Sequence, residues 1–304
     1  MLVTDRDFQR YLRAKRTVDD RALDETLLER LRTELVARAR DRDGPIRILE
    51  VGAGIGTMIQ RFVDRDLFPA GDIEYVAVDV DDANVRTMRR RIPEWAETRG
   101  FDVGDGRKIV VSGVDRTLSI EPVEAEATAF VAGDPRAWDL LIGAALLDVL
   151  GLDRVPTLLS GLGPEGLCYF PITFDGATRF LPAESADRAV ERYYHRHMDA
   201  KPGGDSRAGD HALELLQARS DATILGAAGS DWIVRPEQAA YPADEAYFLS
   251  YILGTVEAAV GELDRDDDLP DGVLEDWLAR RRRQLAAGEL VYHTHQLDLL
   301  GRID

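Results

Sequence analysis

The segment Glu50-Val51-Gly52-Ala53-Gly54-Ile55-Gly56 constrains this chain more than any other. The apolar run Ile46–Val51 leads into it, and residues 57–63 read as a helix. Glycine at three alternate positions gives a tight strand-to-helix turn with no side chain on its inner edge. A ligand can then lie against bare backbone at the start of the helix. The spacing departs from G-x-G-x-x-G, the dinucleotide fingerprint, because the third glycine comes one residue sooner. Glu50 places an acid at the strand end, where a cationic ligand is better matched than a pyrophosphate.

Tyr75-Val76-Ala77-Val78-Asp79 reads as the next strand and ends in an acid 27 residues after Gly52. In a strand–helix–strand unit such an acid can accept hydrogen bonds from both hydroxyls of a ribose. Further on, Trp138-Asp139-Leu140-Leu141-Ile142-Gly143-Ala144-Ala145-Leu146-Leu147 forms an aromatic-Asp-apolar run. In this order the three segments resemble motifs of the class I S-adenosylmethionine-dependent methyltransferases, across roughly residues 44–176. The resemblance implies an α/β, Rossmann-like fold. Its sheet has seven strands, mostly parallel with the last reversed, and helices on both faces.

The same resemblance implies roles for particular residues. Gly52, Ala53, Gly54 and Gly56 would let the backbone approach S-adenosyl-L-methionine, and Glu50 would orient the loop or the cofactor's amino group. Asp79 would take the ribose hydroxyls, with Val80 packed on the adenine. Glu126, with the small Ala127 beside it, would face the adenine amino group. It stands 13 residues before Asp139, and its rival Asp134 leaves too little room for a helix before Trp138. Gly143 would offer its backbone near the methionine end.

Composition narrows the partners. The formal net charge is −18, and Lys15, Lys108 and Lys201 are the only lysines. Excess Asp and Glu with little Lys fits a protein kept soluble in high salt. An ordinary acidic protein from a GC-rich genome, with Arg replacing Lys by codon bias, is the alternative. Either way a nucleic acid is a poor partner, and so is an anionic membrane surface. Cys168 is the single cysteine, so no internal disulfide can form, which fits a reducing cytoplasm. Cys168 sits in an apolar run and reads as a buried packing residue. Residues 1–16 alternate charged and apolar positions and carry no secretory signal. The longest apolar run, residues 140–147, is far too short to span a bilayer.

Residues 5–40 read as helical, with Leu23, Leu27, Leu28, Leu31 and Leu35 at helical spacing. This makes residues 1–43 an N-terminal helical cap, ended by Asp43-Gly44-Pro45, before a domain of residues 44–304. Strands are expected at 46–51, 73–80, 117–124, 139–142 and 167–174, the last after a turn at 161–166. A helix over 81–91 should stop before Pro93. The charged stretch 94–107 leaves room for a small hairpin with 108–112. A helix should begin near Ala145. Helical insertions that form a lid over the pocket are expected at about 177–220 and 241–287, the second holding two or three helices, with late strands at 222–235 and 289–300. The run Arg280-Arg281-Arg282-Arg283 reads as a helical end that counters nearby acids.

Methyl transfer from a sulfonium is an in-line displacement, and the cofactor carries both the reactive group and its leaving group. The protein has to align a nucleophile, exclude water and, for a poor nucleophile, remove a proton. Substrate-side residues should therefore follow strands four and five, where Asp148 and Asp175 stand. The inserted segment offers His195 or His197 as general base. Residues 193–198 equally read as an amphipathic helix packed on the sheet. His293 and His295 share one strand face, but no companion Cys or acidic triad accompanies them, so no metal is expected. Tyr11, Lys15, Arg16, Asp19, Asp20 and Arg21 cluster before the first strand, placed either to close over the cofactor or as a charged surface helix.

The expectation is methyl transfer to a small molecule on O, N or C, by a cytoplasmic enzyme with no nucleic-acid or membrane partner and with room for a homodimer. A binding subunit or sensor that holds the same cofactor without catalysis is the second reading. A nicotinamide-dependent oxidoreductase is the third, and the glycine spacing and Glu50 weigh against it.

Overall fold

A computed structural model describes residues 5–40, 44–104, 106, 108–263 and 269–304. Met1 to Thr4, Asp43 and Arg107, which entered the expectations above, lie outside the described residues.

The opening helices are α1 (Asp5–Ala14), α2 (Arg16–Ala22) and α3 (Glu25–Arg40). Then come β1 (Ile46–Val51), α4 (Thr57–Asp64), β2 (Gly71–Asp79) and α5 (Asp82–Thr98). A hairpin of β3 (Asp102–Gly104) and β4 (Ile109–Ser112) precedes β5 (Arg116–Glu124) and α6 (Ala127–Gly133). β6 (Trp138–Ile142) is followed by the short helices α7 (Leu147–Leu150) and α8 (Val155–Leu159). The long β7 (Leu162–Leu181), α9 (Asp187–Ala200), α10 (Ala208–Ala218), β8 (Ala222–Gly229) and β9 (Trp232–Val234) come next. The chain closes with α11 (Glu245–Gly261), α12 (Val273–Ala286) and β10 (Val291–Ile303).

All strands join one sheet in the order β3-β4-β5-β2-β1-β6-β7-β10-β8, with β9 paired to β10. β5, β2, β1, β6 and β7 run parallel. β10 is antiparallel to both β7 and β8, so β8 shares the direction of the first five. Without the β3–β4 hairpin and β9, this is a seven-stranded sheet with only the last strand reversed, the class I methyltransferase fold. Among the described residues the sheet has ten strands rather than seven.

Side chains alternate across the sheet as strand geometry requires. Ile46, Ile48, Tyr75 and Ala77 face a core shared with α3, α4, α5 and α11. Leu49, Val51, Val76 and Val78 face the opposite core, with α6, α8 and α10. Leu27, Leu28, Leu31 and Leu35 are buried in the first core, which fastens the cap to the sheet. Cys168 is fully buried in the second, as its apolar run implied.

Three boundaries depart from the expectation. α5 runs through Pro93 to Thr98. Val85, Met88, Ile92 and Ala96 are buried and continue one helical stripe past the proline. Burying that stripe outweighs the cost of one lost backbone bond, whose carbonyl belongs to the exposed Arg89. β7 starts at Leu162, inside the expected turn, and continues to Leu181, inside the expected insertion. It does so because β10 is long enough to pair with it from Leu181 back to Gly166. The late strand expected over 222–235 breaks at Ser230-Asp231 into β8 and β9, and both pair with β10. Within the first insertion, α10 packs on β7 and β8 as an ordinary crossover helix, whereas α9 packs on α11. In the arginine run, Arg281 is fully buried against Asp187, with Arg280 on Glu184 and Arg282 on Glu257.

Candidate active site

The glycine turn lies at the carboxyl ends of β1, β2 and β6, where ligands bind in open parallel sheets. Gly52, Gly54 and Gly56 all have positive φ (66°, 55° and 80°), a region that costs any side-chain-bearing residue. The turn is tied to its neighbours by backbone bonds: the Ala53 N–H donates to Val78 O (3.0 Å), and the Gly56 N–H to Ala53 O (3.0 Å). Asp79 fixes it further. Its Oδ2 accepts from the Gly54 N–H at 2.7 Å, and its Oδ1 accepts from the Asp81 N–H at 2.9 Å and from Asn84 Nδ2 at 3.2 Å. Gln9 Nε2 donates to Asn84 Oδ1 at 3.2 Å, which links α1 to this corner.

A cavity of about 450 Å³ opens over the turn. Glu50, Gly52, Ala53, Gly54, Asp79 and Val80 form one side, and Glu126 and Ala127 flank it. Val80, 74 % exposed, and Val149, 61 % exposed, also line the cavity. Both are apolar side chains left open at one cavity. The cap supplies the cover: Phe8, Leu12, Lys15 and Asp19 line the cavity. A Cβ at Gly54 would lie 3.3 Å from the Leu12 side chain.

Glu50 is the electrostatic centre of the cavity. It is 2 % exposed, and its Oε2 accepts from the Tyr75 hydroxyl at 2.7 Å. Burial pushes its pKa from 4.5 to about 8, against the smaller downward pull of Tyr75 and Arg61. Arg61, also buried, pairs with Asp19 at 3.4 Å and with Asp20, while Lys15 lies 3.5 Å from Asp19. The cavity therefore carries three buried carboxyl groups, Asp19, Glu50 and Asp79, together with Lys15 and Arg61, both of which pair with Asp19. Such a set matches a ligand that has both an ammonium and a carboxylate.

Glu126 caps α6: its Oε2 accepts from the Ala129 N–H at 2.7 Å and from the Thr128 hydroxyl at 2.6 Å. Its rival Asp134 lies outside the cavity, bound to Arg136. Two glycines named from the sequence do not line the cavity. Gly56 faces α5 instead, where a Cβ would come within 2.9 Å of Met88 Cγ. Gly143 spends its N–H on Tyr169 O (3.1 Å) and is packed against Phe170. The residues just after it, Ala144 to Leu146, form that wall. Arg61 and Leu12 went unread in the sequence because no motif marks them.

None of Asp175, His195 and His197 lines this cavity. His195 Nε2 lies 3.0 Å from the Thr178 hydroxyl, with its ring edge-on to Phe174, and burial lowers its pKa. Asp175 accepts from the Asp210 N–H at 2.9 Å, and burial raises its pKa. His197 is buried with its Nε2 2.7 Å from Glu262 Oε2, and it lines a second cavity of about 430 Å³. His293 and His295 both bond to Asp231, at 3.1 and 2.7 Å. No helix among the described residues is long and apolar enough to cross a membrane.

No family model and no curated protein matches this chain. Among solved structures it is similar to the plantazolicin methyltransferase BpumL in complex with SAH (TM-score 0.40, 10 % identity, 98 % of this chain and 89 % of that one). It is also similar to YjhP from E. coli (TM-score 0.42, 13 % identity, 94 % and 98 %) and to the [4+2]-cyclase SpnF (TM-score 0.38, 18 % identity, 89 % and 80 %). Scores and identities this low decide nothing about activity.

Proposed function

We propose that the protein is an S-adenosylmethionine-dependent methyltransferase acting on a small molecule. One observation carries this reading: the glycine-turn cavity holds Asp79 and Glu50 at the ends of two adjacent parallel strands, with the open side chain of Val80 beside them. That is a ribose acceptor, a group suited to a cation and an adenine wall in a single cavity. S-adenosylmethionine, when bound, supplies the methyl group on a sulfonium. The remaining work belongs to the chain. Asp79 takes the ribose hydroxyls with the Oδ2 lone pair left after holding Gly54, Asp81 and Asn84. Glu50 faces the ammonium, and Lys15 and Arg61 draw the carboxylate. Leu12, Val80 and Val149 keep water out. The helical cover and the acidic surface favour a small acceptor over a polyanion.

The test is a thermal shift with S-adenosylhomocysteine at high salt. A ligand at 100 times its dissociation constant stabilises by about 2.7 kcal/mol, which a melting curve resolves. No shift, or a larger one with NAD, overturns the reading.

A further inference from the structure

We infer that the second cavity, between α9 and α11, holds the methyl acceptor, that the acceptor is a hydroxyl compound on an aromatic or apolar body, and that Asp148 takes its proton. This deepens the function proposed above and rests on it.

Val149 lines both cavities, so the second cavity adjoins the first, and its neighbour Asp148 lines the second. The walls carry the rings of Tyr194 and Tyr251 and the flexible Met198, surfaces that receive a ring or an aliphatic body. α11 contributes Gly254 to this wall, and a Cβ there would meet nothing within 4 Å. A glycine inside a helix costs about 1 kcal/mol relative to alanine. No close packing requires it here, and its effect is to keep the cavity open.

Asp148 Oδ1 is sealed from solvent and has no hydrogen-bond partner. The other base candidate in this cavity, His197, already has Nε2 engaged by Glu262. The charged and titratable groups acting on Asp148 are Lys15 from the cap, Asp205 from the loop before α10 and Tyr194 from α9. Burial pushes the Asp148 carboxyl up to about 6, so it is ionised at neutral pH and still basic enough to accept a proton. A carboxylate beside an ammonium would keep the proton on nitrogen and block attack, whereas beside a hydroxyl it draws the proton away. In the step, the hydroxyl oxygen forms the new C–O bond to the methyl carbon. The C–S bond breaks with its electron pair left on sulfur, which becomes a neutral thioether. The hydroxyl proton passes to the Asp148 carboxylate, which becomes a neutral carboxyl.

The experiment measures binding of 4-ethylphenol and 4-ethylcatechol to protein saturated with S-adenosylhomocysteine, with 4-ethylbenzylamine as the control. It also follows methyl transfer to 4-ethylcatechol from S-adenosylmethionine by mass. The phenols should bind better than the amine. Gly254→Leu should raise Tm, keep the S-adenosylhomocysteine shift and weaken phenol binding at least tenfold. Ala258→Trp, on the same wall, should act likewise. Asp148→Asn should leave phenol binding within a few-fold and slow transfer by about 10²-fold or more. It should also abolish the loss of rate below pH 6. The inference is overturned if phenols do not bind the wild type, bind both filled-cavity variants equally well or bind more weakly than the amine. It is overturned equally if Asp148→Asn transfers at the parent rate. Absence of the S-adenosylhomocysteine shift itself would instead overturn the proposed function.

Discussion

If Glu50 faces the cation of the cofactor, affinity rises with pH as it would for an ordinary surface carboxylate, but over a window near pH 8 instead of near 4.5. In the free protein burial holds its pKa near 8, so at pH 7 it is mostly neutral. A cation bound against it favours the ionised form. If only that form binds, affinity scales as 1/(1 + 10^(8 − pH)) and rises about fiftyfold from pH 6 to pH 8. At pH 7, binding should release about 0.9 proton. Calorimetry in two buffers of different ionisation enthalpy counts that proton directly. S-adenosylhomocysteine keeps the ammonium and lacks the sulfonium, so comparing it with S-adenosylmethionine shows which cation meets Glu50. Glu50→Gln should bind more weakly at pH 8 and lose the pH dependence. The same group acts on stability without ligand. The folded state holds the Glu50 proton more tightly than the unfolded chain. Its contribution is therefore full below pH 4.5 and declines as pH rises through 8, by at most about 5 kcal/mol. Glu50→Gln should accordingly raise Tm most at pH 8 and least near pH 5. An affinity that stays flat from pH 6 to 8, or the same pH profile in the Gln variant, refutes the assignment of a neutral buried carboxyl at this site.

Asp79→Ala should cut S-adenosylhomocysteine affinity at least tenfold, because it removes both the ribose acceptor and the bond to the Gly54 N–H; titration calorimetry measures it. Gly56→Ala should destabilise the fold by about 2 kcal/mol through its left-handed φ and the contact with Met88. It should nevertheless leave the ligand-induced shift intact, because Gly56 is not in the cavity wall. Arg281→Leu should cost about 3–5 kcal/mol in urea unfolding, since Asp187 would lose its buried ionic partner. Its cofactor affinity should be unchanged.

The legible parts of this molecule are those in which backbone geometry dictates residue type. Left-handed turn positions require glycine, and a buried parallel strand requires an apolar run, so β1, the turn, β2 and β6 could be read within a residue or two. The acids that line the first cavity were legible for the same reason: Glu50, Asp79 and Glu126 sit at strand ends and a helix cap, positions set by the local chain. Gly56 shows the limit of that reasoning. Its φ demanded glycine as the sequence implied, but the missing side chain makes room for Met88, not for a ligand. The acceptor side follows different physics. Val149 lines both cavities, and α9 packs on α11 across about fifty residues of chain with no periodic pattern linking the two halves. His195 and His197 looked catalytic because histidine is versatile, yet each is taken up by a local partner, Thr178 or Glu262. Asp148 stood out only by its place after the fourth parallel strand, because the burial that raises its pKa and the charges that act on it, Lys15 among them, come from segments distant in sequence. A residue's chemistry is readable from sequence when its environment is local, as it is at the glycine turn and is not at the second cavity.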